Sequence, residues 1–491
     1  MGTPSNPNET SQRLLGEARV HLQQERLLDA ARCYLEVTRC QPDCFEAYAQ
    51  LGAILHQLDS AQEALPCLET ALRLRPNFPK LNMMLGAVLK KLNRLEEAEA
   101  CCRRETQNSP TDADARYNLG LTLQARGEFE AALEAYGQAL ELRPDYVDAL
   151  VNRGVVCREL LRMAPALDCF DAAIRLAPDN AEARWERGTT LISLGELEQG
   201  WKEYEWRWKL KDFSTPAPAF DCPQWDGSPL NGKRIFLHAE QGYGDVIQTI
   251  RYAPMVARLG GEVIVGCPQP LRPLLESVEG VSQVVTNRSS LPPLDAHAPL
   301  MSLPAIFRTS LHTIPSTVPY LQPPPSGLRI GPATAAGLRV GIAWAGDRSH
   351  RNDHNRSMPL SQLGPLVQVP GIKFFSLQVG QQTSELSRYG FSRTVTDLGS
   401  RFRDFGDTAG AIADLDLVIT VDTAVAHLAG ALARPIWVLL PYNAEWRWML
   451  GRLDSPWYPT MRLFRQPFRG DWADLIAQVS KELARLTPHG V

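Results

Sequence analysis

The chain has 491 residues, of which 44% are hydrophobic and 22% are charged, and this composition excludes a wholly disordered or collagen-like protein. Its length predicts three or four domains. The 51 basic and 55 acidic side chains leave a net charge of -4, which argues against nucleic acid as a partner. No apolar run of about 18 residues occurs, so no transmembrane segment is expected.

Residues 1–10 are polar and lack the apolar core of a secretory signal, so we expect them to form a disordered tail. Ten cysteines are present, and eight of them precede residue 180. No two cysteines have CxxC spacing, and they are therefore expected to be free thiols that pack as small hydrophobic residues. Free thiols are typical of a reducing compartment, which predicts a cytoplasmic protein.

Prolines recur every 34 residues, at positions 42, 76, 110, 144 and 178. If each proline is position 32 of a unit, six units begin at 11, 45, 79, 113, 147 and 181. Position 8 is then always small: Ala18, Gly52, Gly86, Gly120, Gly154 and Gly188. Position 20 is also small: Ala30, Ala64, Ala98, Ala132, Ala166 and Gly200. Position 24 is larger: Tyr34, Leu68, Cys102, Tyr136, Phe170 and Tyr204.

This pattern predicts pairs of antiparallel helices, because small residues allow close approach and a proline ends the second helix of each pair. The residue at position 24 is expected to fill the gap to the next unit. The pattern resembles the tetratricopeptide repeat over residues 11–212, about six units. That resemblance implies a groove that binds a protein or peptide, although an array that only packs on the rest of the chain is the alternative.

The sixth unit departs from the pattern, since Asp212 replaces the closing proline and Gly200 replaces alanine. A terminal repeat is expected to be atypical because it caps the stack. Its second helix is rich in aromatic residues, which predicts burial against the next domain. The aromatic residues are Trp201, Tyr204, Trp206 and Trp208.

Residues 213–231 are rich in proline, aspartate and serine and are interpreted as a linker. Beyond them, apolar runs alternate with helical stretches, which predicts parallel sheets covered by helices. Two Rossmann-like domains are expected, at 232–330 and 338–470, followed by a C-terminal helix within 471–491 that packs back across both. The predicted strands are 234–239, 262–267, 282–286, 338–344, 372–378, 415–422 and 435–441, and the first two helices are 246–260 and 270–278.

Ligands of such domains lie beyond the carboxyl ends of the strands. The first strand is followed by Gln241, Gly242, Gly244 and Asp245, a tight turn at the start of a helix. A dinucleotide fingerprint lacks its third glycine here, because position 247 is Ile. Asp245 is either a helix N-cap or a general base in the cleft between the domains.

The second domain begins with a strand that ends near Gly346 and continues into a basic loop. Arginines at a strand end suit a diphosphate, and a solvated surface loop is the alternative. The loop contains Arg348, His350, Arg351, His354 and Arg356. The donor site is expected to include Arg351, Arg356, Gly346 and Gln378, the last of which ends the second strand of this domain.

A later strand ends at Asp422, and a helix begins at Thr423 with His427 one turn further on. The free N–H groups of a helix N-terminus attract anions, so these three residues are also assigned to the donor site. Two DxD pairs, Asp112 with Asp114 and Asp414 with Asp416, lie away from the ligand edge. No metal site is therefore predicted.

Residues 232–487 resemble the GT-B glycosyltransferases of the bacterial heptosyltransferase family (family 9). Gly244-Asp245 is similar to the GD motif of that family, and Asp422-Thr423-x-x-x-His427-Leu428-Ala429 is similar to its donor motif. Arg replaces the usual Lys in the basic loop. The layout, with repeats before a GT-B unit, also resembles that of O-GlcNAc transferases.

The resemblance implies a metal-independent transfer of sugar from a nucleotide-diphosphate sugar to an acceptor protein, with Asp245 as base and no cofactor. Arg351, Arg356 and the helix at Thr423 would stabilise the leaving diphosphate. Two alternatives stay open. One is a noncatalytic tetratricopeptide scaffold with a degenerate GT-B half, and the other is a GT-B epimerase acting on nucleotide sugars.

Overall fold

A computed structural model of the chain describes residues 7–213, 215, 219–331, 337–350 and 352–487. The chain divides into two compact units, Met1–Ala183 and Arg184–Val491. Within the described ranges, no helix combines the length and the apolar character needed to cross a bilayer.

The first unit is a series of antiparallel helix pairs. Its helices are α1 (Pro7–Gln23), α2 (Leu27–Cys40), α3 (Phe45–Gln57), α4 (Ala61–Leu74), α5 (Leu81–Lys91), α6 (Leu95–Asn108), α7 (Ala113–Ala125), α8 (Phe129–Leu142), α9 (Val147–Glu159) and α10 (Met163–Leu176). The prediction of a disordered tail over 1–10 is wrong at residues 7–10, because the first helix begins at Pro7. Proline is well tolerated in the first turn of a helix, where its missing N–H has no partner to lose.

The small residue at position 8 allows close approach of the paired helices, as predicted, but the large residue at position 24 has a different partner from the one expected. A methyl group added at Gly120 would lie 2.5 Å from the ring of Tyr136, and one at Gly154 would lie 2.5 Å from the ring of Phe170. The residue at position 24 therefore packs against position 8 of its own unit, rather than only filling the gap to the next. Both aromatic rings are fully buried.

This contact makes Gly120 a sensitive position in the array. We expect Gly120→Ala to lower the free energy of unfolding by about 1–3 kcal/mol, because the new methyl group overlaps Tyr136 in a close-packed interior. The matched control is Gly137→Ala in α8, where the added methyl group meets nothing within 4 Å. That control should raise stability by about 0.5–1 kcal/mol, since alanine is the better helix former. Urea unfolding measures the free energy of unfolding of both variants. Equal changes in the two variants would contradict the packing argument.

The second unit begins inside the sixth predicted repeat, with α11 (Ala181–Leu194), α12 (Leu197–Tyr204) and a 3-10 helix at Glu205–Lys209. Trp201 meets Trp446 edge to face at 5.2 Å, and Tyr204 meets Trp446 at 5.7 Å. Both residues are buried in the core of this unit, which confirms their predicted burial. The second compact unit therefore includes most of the sixth predicted repeat.

Four parallel strands form the first sheet, in the order β3-β2-β1-β4. They are β1 (Arg234–His238), β2 (Glu262–Gly266), β3 (Val281–Val285) and β4 (Ala296–Pro299), with helices α13 (Tyr243–Thr249), α14 (Ala253–Arg258), α15 (Arg272–Leu275) and α16 (Leu303–Ile306). The predicted helix 246–260 begins earlier, at Tyr243, and a 3-10 turn at Ile250–Tyr252 interrupts it. Pro254 follows that interruption, as expected from its missing N–H.

Six parallel strands form the second sheet, in the order β10-β9-β8-β5-β6-β7. They are β5 (Leu338–Ala343), β6 (Ile372–Ser376), β7 (Val395–Asp397), β8 (Leu417–Val421), β9 (Ile436–Leu440) and β10 (Met461–Arg465). Its helices are α17 (Asp353–Arg356), α18 (Gly364–Val367), α19 (Glu385–Arg388), α20 (Phe405–Ala413), α21 (Ala424–Ala431) and α22 (Trp472–Ala484).

The last helix, α22, packs on the second sheet alone and does not lie across both sheets as predicted. Its apolar face, with Trp472, Ile476 and Val479, is buried in one core with Val340 of β5. The helix has a single apolar face, and that face is buried against the second sheet.

Candidate functional site

The two sequence motifs meet where α13 packs against α21. Gly244 lies in the first turn of α13, after β1, and His427 lies in α21, after β8. A methyl group at Gly244 would stand 2.8 Å from Cδ2 of His427 and 3.7 Å from Cα of Ala424. Only glycine allows this approach, so the turn after β1 and the helix after β8 form one site.

Asp245 is the third residue of α13, and Gly242 occupies the N-cap. Oδ2 of Asp245 accepts a hydrogen bond from the Gly242 N–H at 2.9 Å, and Oδ1 is paired with the guanidinium of Arg447. Asp245 is therefore not the N-cap itself, although it stabilises the helix start through the Gly242 N–H. Gln241 is exposed beside this turn.

Arg447 is a site residue that the sequence interpretation missed. It lies beyond β9, is buried, and donates from Nε to Oε1 of Gln248 at 3.1 Å. Glu445 is its second carboxylate partner, and its guanidinium lies 4.2 Å from the centre of the Trp446 ring. The sequence did contain a feature that could have indicated Arg447: it lies between two tryptophans shortly after a strand, at the sheet edge where ligands bind.

Asp422 and Thr423 stand at the end of β8, as predicted. The Asp422 residue is buried, and Thr423 is the N-cap of α21. Oγ1 of Thr423 lies 3.2 Å from Oγ1 of Thr420, and it makes no side-chain capping bond to the helix. The Ala426 N–H bonds to the Thr423 carbonyl at 3.0 Å, so the anion-attracting N–H groups of this turn are those of Ala424 and Val425.

His427 is buried at the junction of the two helices. Its Nδ1 lies 2.9 Å from the hydroxyl of Tyr458, and its ring stacks on Trp448 with centroids 5.2 Å apart. Burial lowers the pKa of His427 well below its usual range, and the charges of Arg447, Arg251 and Arg356 add to the effect. The imidazole is therefore neutral, and its contacts are those of a packing residue that positions α21 against α13.

Gln378 does not present its side chain to a donor. Its Oε1 accepts from the backbone N–H groups of Trp344 at 3.1 Å and Ala345 at 3.0 Å, and its Nε2 donates to the Ala345 carbonyl at 3.0 Å. The amide holds the end of β5 in place. Its assignment to donor binding is corrected to a structural role, because its polar atoms are engaged by the backbone.

Gly346 and Arg356 lie together at the end of β5. A methyl group at Gly346 would stand 2.7 Å from Nη2 of Arg356, so the guanidinium rests on this glycine. The Gly346 N–H donates to Oγ of Ser357 at 2.8 Å. Oδ1 of Asp353 lies 3.6 Å from Nε of Arg356, which is too long for a hydrogen bond. The guanidinium is therefore a candidate anion-binding group.

The remaining residues of the basic loop differ from Arg356 in their exposure and in their partners. Arg348 is exposed and pairs with Glu385 at 3.4 Å, and His354 is also exposed. Arg351 lies outside the described residues. Burial and the charge of Arg356 lower the pKa of His350, whereas the Asp422 carboxylate opposes the change. His350 thus stands close to the charges of the site.

A pocket of about 280 Å³ lies at the carboxyl ends of β1, β2 and β3. Glu240 is one of its lining residues, and the two carboxylate oxygens of Glu240 accept from Nε of Arg207 at 2.8 Å and from Nη2 at 3.0 Å. Neither side chain of this pair is exposed. Burial first, and then His297 and Arg288, lower the pKa of His238 in the pocket wall to about 3. The pocket is lined by Phe236, His238, Ala239, Glu240, Gln241, Gly266, Cys267, Pro268, Val285, Thr286, Asn287 and Arg288.

The acidic DxD pairs have structural partners. Asp414 pairs with Arg329, Asp416 accepts from the Arg339 N–H at 2.8 Å, and Asp112 caps α7. In the part of the chain that the structure describes, no three His, Cys, Asp or Glu residues are grouped as metal ligands.

Comparisons with known proteins concern mainly the repeats. Two tetratricopeptide repeat profiles match the chain, one at residues 113–146 and the other at 15–66, 59–113 and 162–200. Protein FlbA of Caulobacter vibrioides is 27% identical over an alignment of 332 residues, and the match covers 60% of this chain and 54% of FlbA. The chain thus spans about half the length of that curated relative.

Two solved structures are similar to parts of the chain. YrrB, described as a TPR protein with an unusual peptide-binding site, is 27% identical and covers 35% of this chain and 88% of its own, with a TM-score of 0.32. MamA from Desulfovibrio magneticus is 24% identical and covers 35% of this chain and 97% of its own, with a TM-score of 0.33. From the profile matches and the helix pairs, the N-terminal region of this chain is an array of tetratricopeptide repeats, and a parallel α/β region follows it.

Proposed function

We propose that the α/β region is a GT-B glycosyltransferase that moves a sugar from a nucleotide-diphosphate sugar to an acceptor protein held by the repeats, without a metal ion. The observation that carries this proposal is the contact of Gly244 with His427. It joins the turn after β1 to the helix after β8, which are the two segments that resemble the GD and donor motifs of the heptosyltransferase family.

The donor diphosphate is placed at the N-terminus of α21. Bond breaking at the anomeric carbon passes through an oxocarbenium-like state, and negative charge grows on the leaving diphosphate. The N–H groups at the start of α21 and the guanidinium of Arg356 stabilise that charge where it develops. The resemblance assigns the same role to Arg351.

The acceptor is placed on the side of the first sheet. Asp245 takes the proton of the acceptor hydroxyl as that oxygen bonds to the anomeric carbon, and the diphosphate leaves with the electron pair of the broken bond. Tetratricopeptide arrays offer concave surfaces for extended peptides, which supports a protein as the acceptor. The free thiols support a cytoplasmic location.

The test is a transfer and hydrolysis assay of the full chain with a panel of nucleotide-diphosphate sugars, with and without EDTA. We expect turnover of at least one donor in both conditions, and Asp245→Asn should reduce it by about 10²–10⁴-fold while still binding the donor, because only the proton acceptor is removed. The control is Asp454→Asn, which removes an exposed carboxylate that pairs with Arg452 at 2.8 Å.

If a folded Asp245→Asn variant turns over the donor at the rate of the parent, Asp245 is not the general base. Loss of activity in EDTA that returns with Mg²⁺ or Mn²⁺ would overturn the metal-free mechanism. A noncatalytic scaffold is the second candidate, and the Asp245–Arg447 ion pair favours it, because the guanidinium occupies the carboxylate oxygen that would have to accept the proton. Donor binding without turnover of any panel member would decide for the scaffold.

A further inference from the structure

Arg447 lies on the same sheet edge as the two groups assigned to the diphosphate. In the strand order of the second sheet, β9 neighbours β8, and β8 neighbours β5. The segments that follow these strands carry Arg447, Thr423 and Arg356, and in a parallel sheet their carboxyl ends share one edge. Nδ2 of Asn355, next to Arg356, lies 3.4 Å from the carbonyl of Asn443, which ties two of these segments together.

Charge effects place the two guanidinium groups around the same helix start. After burial, Arg447, Arg251 and Arg356 each lower the pKa of His427, which lies one turn into α21. Arg447 also lowers the pKa of His350, which lies in the basic loop. Contacts agree with this placement: Asp245, the partner of Arg447, follows Gly244, where a methyl group would stand 3.7 Å from Cα of Ala424, the first residue of α21. Arg447 is therefore near the N-terminus of α21.

The present partners of Arg447 are two carboxylates that belong to different elements. Asp245 comes from α13, and Glu445 precedes Arg447 by two residues. Nε donates to Gln248, so the two Nη groups carry both ion pairs. A diphosphate at α21 offers oxygens of the same kind, and a guanidinium binds phosphate as readily as carboxylate.

We propose that Arg447 is a second diphosphate-binding arginine, and that Asp245 competes with the diphosphate for its Nη2 group. This inference rests on the proposed function, since it uses the same donor site. When the donor binds, Arg447 turns from Asp245 to the diphosphate. Oδ1 of Asp245 is then free to accept the hydroxyl proton, so the base becomes available only when a donor is present. Donor binding therefore precedes activation of the acceptor.

The experiment measures the affinity of the full chain for inorganic pyrophosphate by calorimetry, in a double-mutant cycle of Asp245→Asn and Arg447→Met. Asp245→Asn should tighten binding by roughly tenfold, because it removes the competitor, and Arg447→Met should weaken binding by a similar factor. In the Arg447→Met background, Asp245→Asn should then change nothing. A matched control is Glu482→Gln, which breaks an ion pair with Arg462 at 2.8 Å and should leave the affinity unchanged.

The cycle separates competition for Arg447 from simple repulsion between Asp245 and the anion. If Asp245→Asn tightens pyrophosphate binding equally in both backgrounds, the carboxylate acts by its charge alone and the proposal fails. It fails also if the single variant Asp245→Asn does not tighten binding. Should Arg447→Met not fold, the cycle is run with Arg447→Lys, which cannot reproduce the forked geometry and should abolish most of the Asp245 effect.

These outcomes are distinct from those of the transferase assay. If the effects of the two substitutions on pyrophosphate affinity are additive and a donor is turned over, the competition for Arg447 is wrong and the glycosyltransferase proposal is retained. If the two effects on pyrophosphate affinity are not additive and no donor is turned over, Arg447 binds diphosphate but the proposed transferase activity is wrong. Failure of both the parent and Asp245→Asn to bind pyrophosphate would overturn both.

Discussion

A chain shortened to residues 232–491 is expected to lose its cooperative fold, whereas one that begins at residue 184 should keep it. The shorter piece lacks Trp201 and Tyr204, which are buried in the same core as both sheets. Removal of one buried Trp or Phe side chain costs about 3–5 kcal/mol. The loss of two aromatic anchors, together with Ile192 and Leu197 beside them, therefore approaches the whole stability of a typical domain, about 5–15 kcal/mol.

Thermal unfolding of the two fragments, followed by near-UV circular dichroism, tests this directly. The fragment from residue 184 should melt in one transition, and the fragment from residue 232 should lack a sharp transition and bind a hydrophobic dye. A cooperative transition in the 232–491 fragment would mean that the aromatic helix is only a covering element. This result matters for any truncation test of the repeats, because a cut in the linker also removes part of the hydrophobic core of the α/β region.

Arg207→Ala is expected to lower stability by about 3–5 kcal/mol, because it leaves the Glu240 carboxylate buried without its partner. Neither side chain is exposed, and Nη2 of Arg207 also donates to Oγ of Ser302 at 2.8 Å. Burial raises the pKa of Glu240, and Arg207 opposes that rise. Without Arg207, the pKa rises further above that of the unfolded chain. The missing stability then returns as the pH falls and Glu240 takes up a proton, so the loss should be smaller near pH 5 than at pH 7.

Urea unfolding at the two pH values measures this loss. The double variant Arg207→Met with Glu240→Leu should recover most of the stability, because a buried ion pair can be replaced by apolar side chains of similar volume. The control is Arg462→Ala, which breaks a partly exposed pair and should change stability by less than about 1 kcal/mol. If Arg207→Ala lowers the free energy of unfolding no more than Arg462→Ala does, the buried ion pair contributes little to stability.

The repeats could be predicted from the sequence because their contacts are local. Gly120 and Tyr136 lie within one 34-residue unit, so their spacing recurs along the chain and can be recognised. Most strands of the parallel sheets were also predicted, since each of these is a continuous apolar run. Three strands were not predicted: β4 (Ala296–Pro299) is four residues long and ends in proline, β7 (Val395–Asp397) has three residues, and β10 (Met461–Arg465) begins and ends among arginines.

The site could be predicted only in part. The turn at Asp245 and the helix at Thr423 were found because each has a local motif. The partners of Asp245 and Glu240 were not found, because Arg447 is 202 residues from Asp245 and Arg207 is 33 residues from Glu240. No local periodicity connects such pairs. The role of Gln378 was misassigned for the same reason, since its side chain is engaged by the distant end of β5.

The free thiols give each unit its own internal reporter. Cys102 is buried in the array, where it stands 2.8 Å from the position of a methyl group on Gly86, and Cys267 is buried beside the first sheet. A thiol reagent reaches a buried cysteine only when its surroundings open, so the rate of labelling measures the free energy of that opening. Mass spectrometry of the labelled peptides would thus measure the opening of the array and of the α/β region in the intact, unmutated chain.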